Sequence, residues 1–372
     1  MRRGRLSRWQ ATGAALLLAA VVATVGGTAG AAQDSSVTAY ARQAAGQRVI
    51  YSYPGLTPPQ SLLARIRAGE AAGVIFFGEN VSSLQQIAGV VAQLRAAAAE
   101  SPVQEPLLLM TDQEGGQIRR LPGEPAASHK DVGLAGDPAA AATNAGRGAG
   151  DNLAGVAMNV NLAPVLDVFH APGDLMDQFE RSFSADHTVV SQLGANYVSA
   201  QQAQGVAATV KHFPGLGPAN ANENTDQRPV TLNVPLSTLR SVHEAPYQAS
   251  IAAGAKLVML SWAVYPALDG ARPAGLSSVV VEQELRSRNG FTGVTVSDAI
   301  EAGALANFGS TGNRAVLAAD AGVDLILASA RDVGQGDQAA DALAAALADG
   351  TLDSGAFGEA LARVNALRSS LD

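Results

Sequence analysis

The sequence predicts a single-domain α/β fold, a (β/α)8 barrel of the TIM type. Short runs rich in Val, Ile and Leu alternate with longer Ala-rich stretches of helical spacing, which is the pattern of βα units around a parallel sheet. The runs number eight, the count that closes such a barrel. At 372 residues, 47% hydrophobic and only 16% charged, the chain has the apolar content of one large buried core.

The elements follow in order. Residues 1–32 carry arginines at 2, 3, 5 and 8, then an apolar run from Ala14 to Val25, then small residues with Ala29-Gly30-Ala31 as a cleavage site. This is the pattern of an export signal, and the run is shorter than the roughly 20 residues of a spanning helix. The expectation is therefore a secreted protein without a stable membrane anchor, its barrel occupying residues 33–372. The eight runs are "QRVIYSY" from Gln47, "GVIFF" from Gly73, "PLLLMTD" from Pro106, "VNLAPVLDV" from Val160, "ATVKHF" from Ala208, "KLVMLSW" from Lys256, "GVTVSDA" from Gly293 and "DLILAS" from Asp324. Between them lie stretches such as "SLLARIRAGEAAG" and "GNRAVLAADAG", most ending in Gly, a common left-handed stop for a helix. Two more amphipathic stretches after residue 336 close the outside. The longest interruption, 121–152, holds Pro, Gly and small residues and predicts a loop over one face of the barrel.

Composition narrows the function. A net charge of -8 argues against binding a phosphate backbone, which needs a concentrated Lys/Arg face. There is no cysteine, hence no disulfide scaffold and no thiolate metal site, and no His-x-x-x-His pair or phosphate-cradling glycine loop stands out. Neither a cofactor nor a metal is expected. In a barrel the functional groups sit at the carboxyl ends of the strands. Those positions read Asp112, Asp167, Lys211, His212, Trp262, Asp298 and Ser329. Helix capping accounts for some of them, Ser329 first. It does not account for Lys211 and His212, adjacent on a strand and in need of polar surroundings.

The blocks "TDQEGGQIRRL", "NVNLAPVLDV", "ERSFSAD", "VKHFPGLG" and "TVSDAIEAGAL" occur in the order found in glycoside hydrolase family 3. The sequence resembles the barrel domain of that family, especially the single-domain bacterial β-N-acetylglucosaminidases, over nearly all of the mature chain. The resemblance implies a carbohydrate substrate and a retaining mechanism, in which a carboxylate attacks the anomeric carbon and a second group protonates the leaving oxygen. It assigns Asp298 as the nucleophile and Asp112, Arg120, Arg181, Lys211 and His212 as sugar-binding residues. Gly115 and Gly116 would let backbone approach the sugar.

One block departs from the family. Where those relatives carry an Asp-Ser-His element after "KHFPGHG", with the histidine as acid/base, this chain has Leu216 for the first histidine and Asn222-Glu223-Asn224 for the triplet. An asparagine amide cannot deliver a proton near neutral pH. Glu223 is the leading replacement. Asp226 or Glu301, or a barrel that only binds sugar, remain as alternatives. A carboxylate acid/base would bring the site nearer to the β-glucosidases and β-xylosidases of the wider family, whereas the overall likeness favours N-acetylglucosamine. Trp262, where relatives often carry a histidine, offers a platform for stacking on a sugar face.

Overall fold

The computed structural model describes residues 40–371. The expected export segment lies outside the described residues. The eight runs form eight strands: β1 (Val49–Tyr51), β2 (Gly73–Phe76), β3 (Leu108–Thr111), β4 (Val160–Asn161), β5 (Ala207–Phe213), β6 (Leu257–Leu260), β7 (Val294–Ala299) and β8 (Leu325–Leu327). Each pairs in parallel with its neighbours in sequence, and β1 pairs with β8 through Val49 and Ile326 to close the barrel.

Alternation along each strand sends side chains to two cores. Ile50, Leu108, Met110, Val160, Leu257, Val294 and Leu325 fill the barrel interior. Their neighbours Tyr51, Leu109, Val258 and Ile326 pack outward against the helices. Both faces are buried, which is why the strands read as continuous apolar runs rather than as alternating ones. Polar caps begin the outer helices: Ser83 accepts from the Gln86 N–H ahead of Leu84–Ala99, and Asp186 from the Thr188 N–H ahead of His187–Gln202.

Two segments differ from expectation. Residues 121–152 are largely helical, with His129–Gly133 followed by most of Pro138–Gly155. The buried face of the longer helix is Ala142, Ala145, Gly146, Ala149 and Gly150, with Leu153 near its end, and the small residues let it press against His187–Gln202. A Cβ on Gly146 would stand 2.4 Å from the Tyr197 carbonyl oxygen. The helix is held by close approach rather than by large apolar side chains, so its periodicity is faint. In the fourth run only Val160–Asn161 is regular strand. Pro164 has no N–H to continue the ladder, and only an isolated bridge joins Val165 to Lys211.

Candidate active site

A cavity of about 420 Å³ opens at the carboxyl ends of the strands. Ile75, Leu162, Met259 and Leu327, which also belong to the barrel interior, form its apolar floor. The barrel is therefore plugged beneath the cavity, and the polar groups stand in a ring above the plug.

Three elements supply one side of that ring. After β3 a short hairpin pairs Gln113–Gly115 with Ile118–Arg119. It turns at Gly115 (φ +111) and Gly116 (φ +54), where a Cβ on Gly115 would lie 2.1 Å from the Ala127 carbonyl oxygen. These glycines serve an approach of backbone to backbone rather than to a ligand. The hairpin fixes Asp112, Glu114 and Arg120 on the cavity wall. Along β5 the register against β6 shifts between Val210 and Phe213. Both Lys211 and His212 line the cavity there instead of alternating across the strand. Arg181 enters from the segment that follows the helix Leu175–Gln178.

Charge is tightly matched on this side. The Lys211 ammonium lies 2.7 Å from an Asp112 oxygen and 2.7 Å from a Glu114 oxygen. Arg181 donates to both Glu114 oxygens, at 2.9 and 2.8 Å. Burial would raise the pKa of Glu114, but Arg181 and Lys211 more than offset it and hold this carboxyl well below the usual range. Burial works equally against the charge on Lys211, and Asp112 and Glu114 overcome it, so the ammonium is held above its ordinary pKa. His212 Nδ1 meets Asp167 at 2.7 Å, and Asp167 also accepts from the Leu216 N–H at 2.6 Å. This fully buried carboxylate ties the imidazole to the loop that follows β5. Arg120 has no such partner: its Nε is buried and makes no hydrogen bond among the described residues.

Opposite stands Asp298, near the end of β7, with one carboxylate oxygen accepting from the Ala299 N–H at 2.7 Å. Burial raises its pKa; His212 and Lys211 pull it back, and the charge of Asp226 adds to the rise. The third side is Asn224, Thr225 and Asp226, with Glu301 beyond them. Together these walls offer fixed donors and acceptors for a polyhydroxylated ring, one aimed carboxylate and a charged cluster beside it.

Residues 51–367 match the sequence profile of the glycosyl hydrolase family 3 N-terminal domain. The chain belongs to glycosyl hydrolase family 3. It is similar to a secreted glycosyl hydrolase of Arthroderma benhamiae, 45% identical over 329 residues that cover 88% of this chain and 93% of that one. Among solved structures it resembles the β-N-acetylhexosaminidase of Beutenbergia cavernae (33% identity, TM-score 0.80, 88% of this chain and 98% of that chain). It also resembles the family 3 β-N-acetylglucosaminidase of Paenibacillus sp. FPU-7 (34% identity, TM-score 0.83), covering 88% of this chain but 62% of that one.

In this family 3 barrel six of the eight expected site residues, Asp112, Arg120, Arg181, Lys211, His212 and Asp298, share one cavity. The other two are placed elsewhere. Glu223 folds back on its own turn, accepting from the Asn220 N–H at 2.9 Å, and lines a separate outer recess with His170 and His243. Trp262 is 1% exposed and offers no face to the cavity. Its indole N–H donates to the Ala299 carbonyl at 2.9 Å, and its ring lies 2.5 Å from where a Cβ on Gly275 would be. It packs behind the end of β7. Glu114, which joins Lys211 to Arg181, is a site residue beyond the eight expected from the sequence. The available signal was its place two residues after Asp112, on the same side of a strand-like segment.

Proposed function

We propose that this family 3 chain is an exported, retaining β-glycoside hydrolase, with N-acetyl-β-glucosaminides from cell-wall or chitin-derived saccharides as its leading substrates. Residues 1–32 would serve as the export signal. The secreted Arthroderma relative supports export, and among the described residues no helix is long and apolar enough to cross a membrane. The sugar preference rests on the names of the Beutenbergia and Paenibacillus relatives.

One observation carries the chemistry: Asp298 sits on a rigid strand end, its carboxylate fixed by the Ala299 N–H in a cavity that also holds Asp112, Lys211 and Arg120. In the proposed cycle an Asp298 oxygen bonds to the anomeric carbon as the glycosidic bond breaks, and water later displaces it with net retention. Asp112 accepts from sugar hydroxyls, while Lys211, His212 and Arg120 donate to them. Glu114 and Asp167 hold Lys211, Arg181 and His212 in position. The unpartnered Arg120 Nε is a donor that a bound sugar oxygen would satisfy.

The test is hydrolysis of nitrophenyl β-N-acetylglucosaminide and β-glucoside by the purified protein and by Asp298→Asn. Turnover by the wild type and its loss by about ten-thousand-fold in the variant is the expected result. Full activity in Asp298→Asn would refute the nucleophile. A faster rate on the glucoside would move the sugar assignment toward the β-glucosidase reading. A cavity lined by one carboxylate of the loop after β5, Asp226, with no histidine in that loop, favours that second reading.

A further inference from the structure

A retaining hydrolase needs a proton donor on the leaving-group side of its nucleophile, and the two carboxylates of such a pair stand about 5 to 5.5 Å apart. Three acidic residues of the neighbouring loops are candidates, and the structure separates them. Glu223 lies outside the cavity. Glu301 lines it, but its oxygens are engaged by the Ser329 hydroxyl at 2.8 Å and the Gln335 amide at 3.0 Å, which makes it a brace within the wall. Asp226 lines the cavity, is exposed, and its carboxylate makes no hydrogen bond among the described residues.

The backbone that carries Asp226 is fixed despite that exposure. Its carbonyl accepts from the Gly303 N–H at 2.8 Å, and the Thr225 carbonyl accepts from the Ala304 N–H at 2.9 Å. Thr225 itself is buried. Both anchors belong to the segment that leaves β7, so the loop is pinned to the chain that also bears Asp298. Gly303 has no room for a side chain: a Cβ would stand 2.3 Å from the Gln227 carbonyl oxygen. Asn224 accepts from the Asp226 N–H at 2.9 Å through its side-chain oxygen. The asparagine at the end of the substituted triplet thus shapes the turn that presents the next acidic residue.

Resting on the retaining mechanism proposed above, we propose that Asp226 is the general acid and base of this enzyme. In the first half-reaction the Asp298–anomeric carbon bond forms and the glycosidic carbon–oxygen bond breaks. The leaving oxygen takes the proton of the Asp226 carboxyl and departs as an alcohol. In the second half-reaction water gives a proton to the Asp226 carboxylate and its oxygen bonds to the anomeric carbon, releasing Asp298 as carboxylate and restoring the acid. The charge of Asp226 already acts on Asp298, as expected of two carboxylates that share a cavity.

The experiment compares wild type, Asp298→Asn, Asp226→Ala, Asp226→Asn and Glu223→Gln on aryl β-N-acetylglucosaminides and β-glucosides with leaving groups from phenol to dinitrophenol. Asp226→Ala is expected to lose about a hundred- to ten-thousand-fold on the phenyl glycoside and far less on the dinitrophenyl one. Azide should restore turnover with formation of the β-glycosyl azide, and Glu223→Gln should follow the wild type throughout. If Asp226→Ala loses equally on every leaving group, or nothing, and gives no azide adduct while Asp298→Asn is dead, Asp226 is not the acid/base and the retaining reading stands. If the wild type itself is inert, or Asp298→Asn keeps full activity, both readings fall together.

Discussion

At the scale of single residues the site is a problem in charge compensation. Lys211 and Glu114 are withdrawn from water and Arg181 is partly so, and the buried charges are tolerable only because they face one another. Replacing Glu114 with Gln keeps the shape but removes the charge that faces both cations. Destabilisation of about 3 kcal/mol is expected, read from denaturant unfolding. The pH dependence has a definite sign. Because the folded-state pKa of Glu114 is depressed, its contribution is complete above its unfolded value near 4.5 and is lost as pH falls below that. Glu114→Gln should therefore lie below the wild type at neutral pH and converge with it in acid; parallel curves would remove Glu114 from this role. Trp262 works differently, through the Ala299 carbonyl that it holds. Trp262→Phe loses the hydrogen bond together with part of the ring that packs on Gly275. A fall in kcat larger than any change in KM is expected if that bond keeps Asp298 aimed, whereas an unchanged kcat would leave Trp262 as packing alone.

At the scale of elements the cavity depends on what leaves β3, β5 and β7. Gly303 is the contact through which the segment after β7 fixes the loop after β5. Gly303→Ala would drive a methyl against the Gln227 carbonyl and push the loop outward. Loss of kcat together with faster proteolysis between residues 218 and 230 is expected, and retention of both wild-type behaviours would show that the loop needs no such anchor. The strands, their order and most of the site wall were legible in the sequence because apolar runs and strand-end polar residues report burial directly. The loop after β5 was not. Glu223 and Asp226 are both acids in a polar stretch, and only backbone hydrogen bonds decide that one caps Asn220 while the other faces the cavity. Trp262 was misplaced for a related reason: an aromatic at a strand end stacks on a ligand or on its own barrel according to what lies behind it, here Gly275. The helix over Pro138–Gly155 escaped because small residues pack by proximity and leave little hydrophobic periodicity.

At the scale of the whole molecule, a floor of interior side chains, a rigid ring of strands and a rim of loops divide stability from chemistry. Burial reaches beyond the cavity to two histidines, His129 and His243, whose pKa values are each lowered by desolvation to about 4. Their neutral forms suit the fold, so unfolding takes up protons as pH falls from about 6.5 toward 4, and stability declines across that window. The melting temperature of the whole protein should fall through it. Replacing His129 with Gln, at a position packed on Phe183 and Tyr197, should flatten the decline while lowering the melting temperature at neutral pH. An unaltered slope in that variant would place the acid sensitivity elsewhere. The central claim is that this barrel carries out its chemistry through a covalent bond to Asp298. Its most direct test is to incubate the protein with a fluorinated aryl β-glycoside that forms the glycosyl-enzyme but turns it over slowly, then to map the modified peptide by mass spectrometry. The account predicts one added glycosyl unit on the Asp298 carboxylate and none in Asp298→Asn; a label on another carboxylate, or steady turnover with no adduct at all, would contradict it.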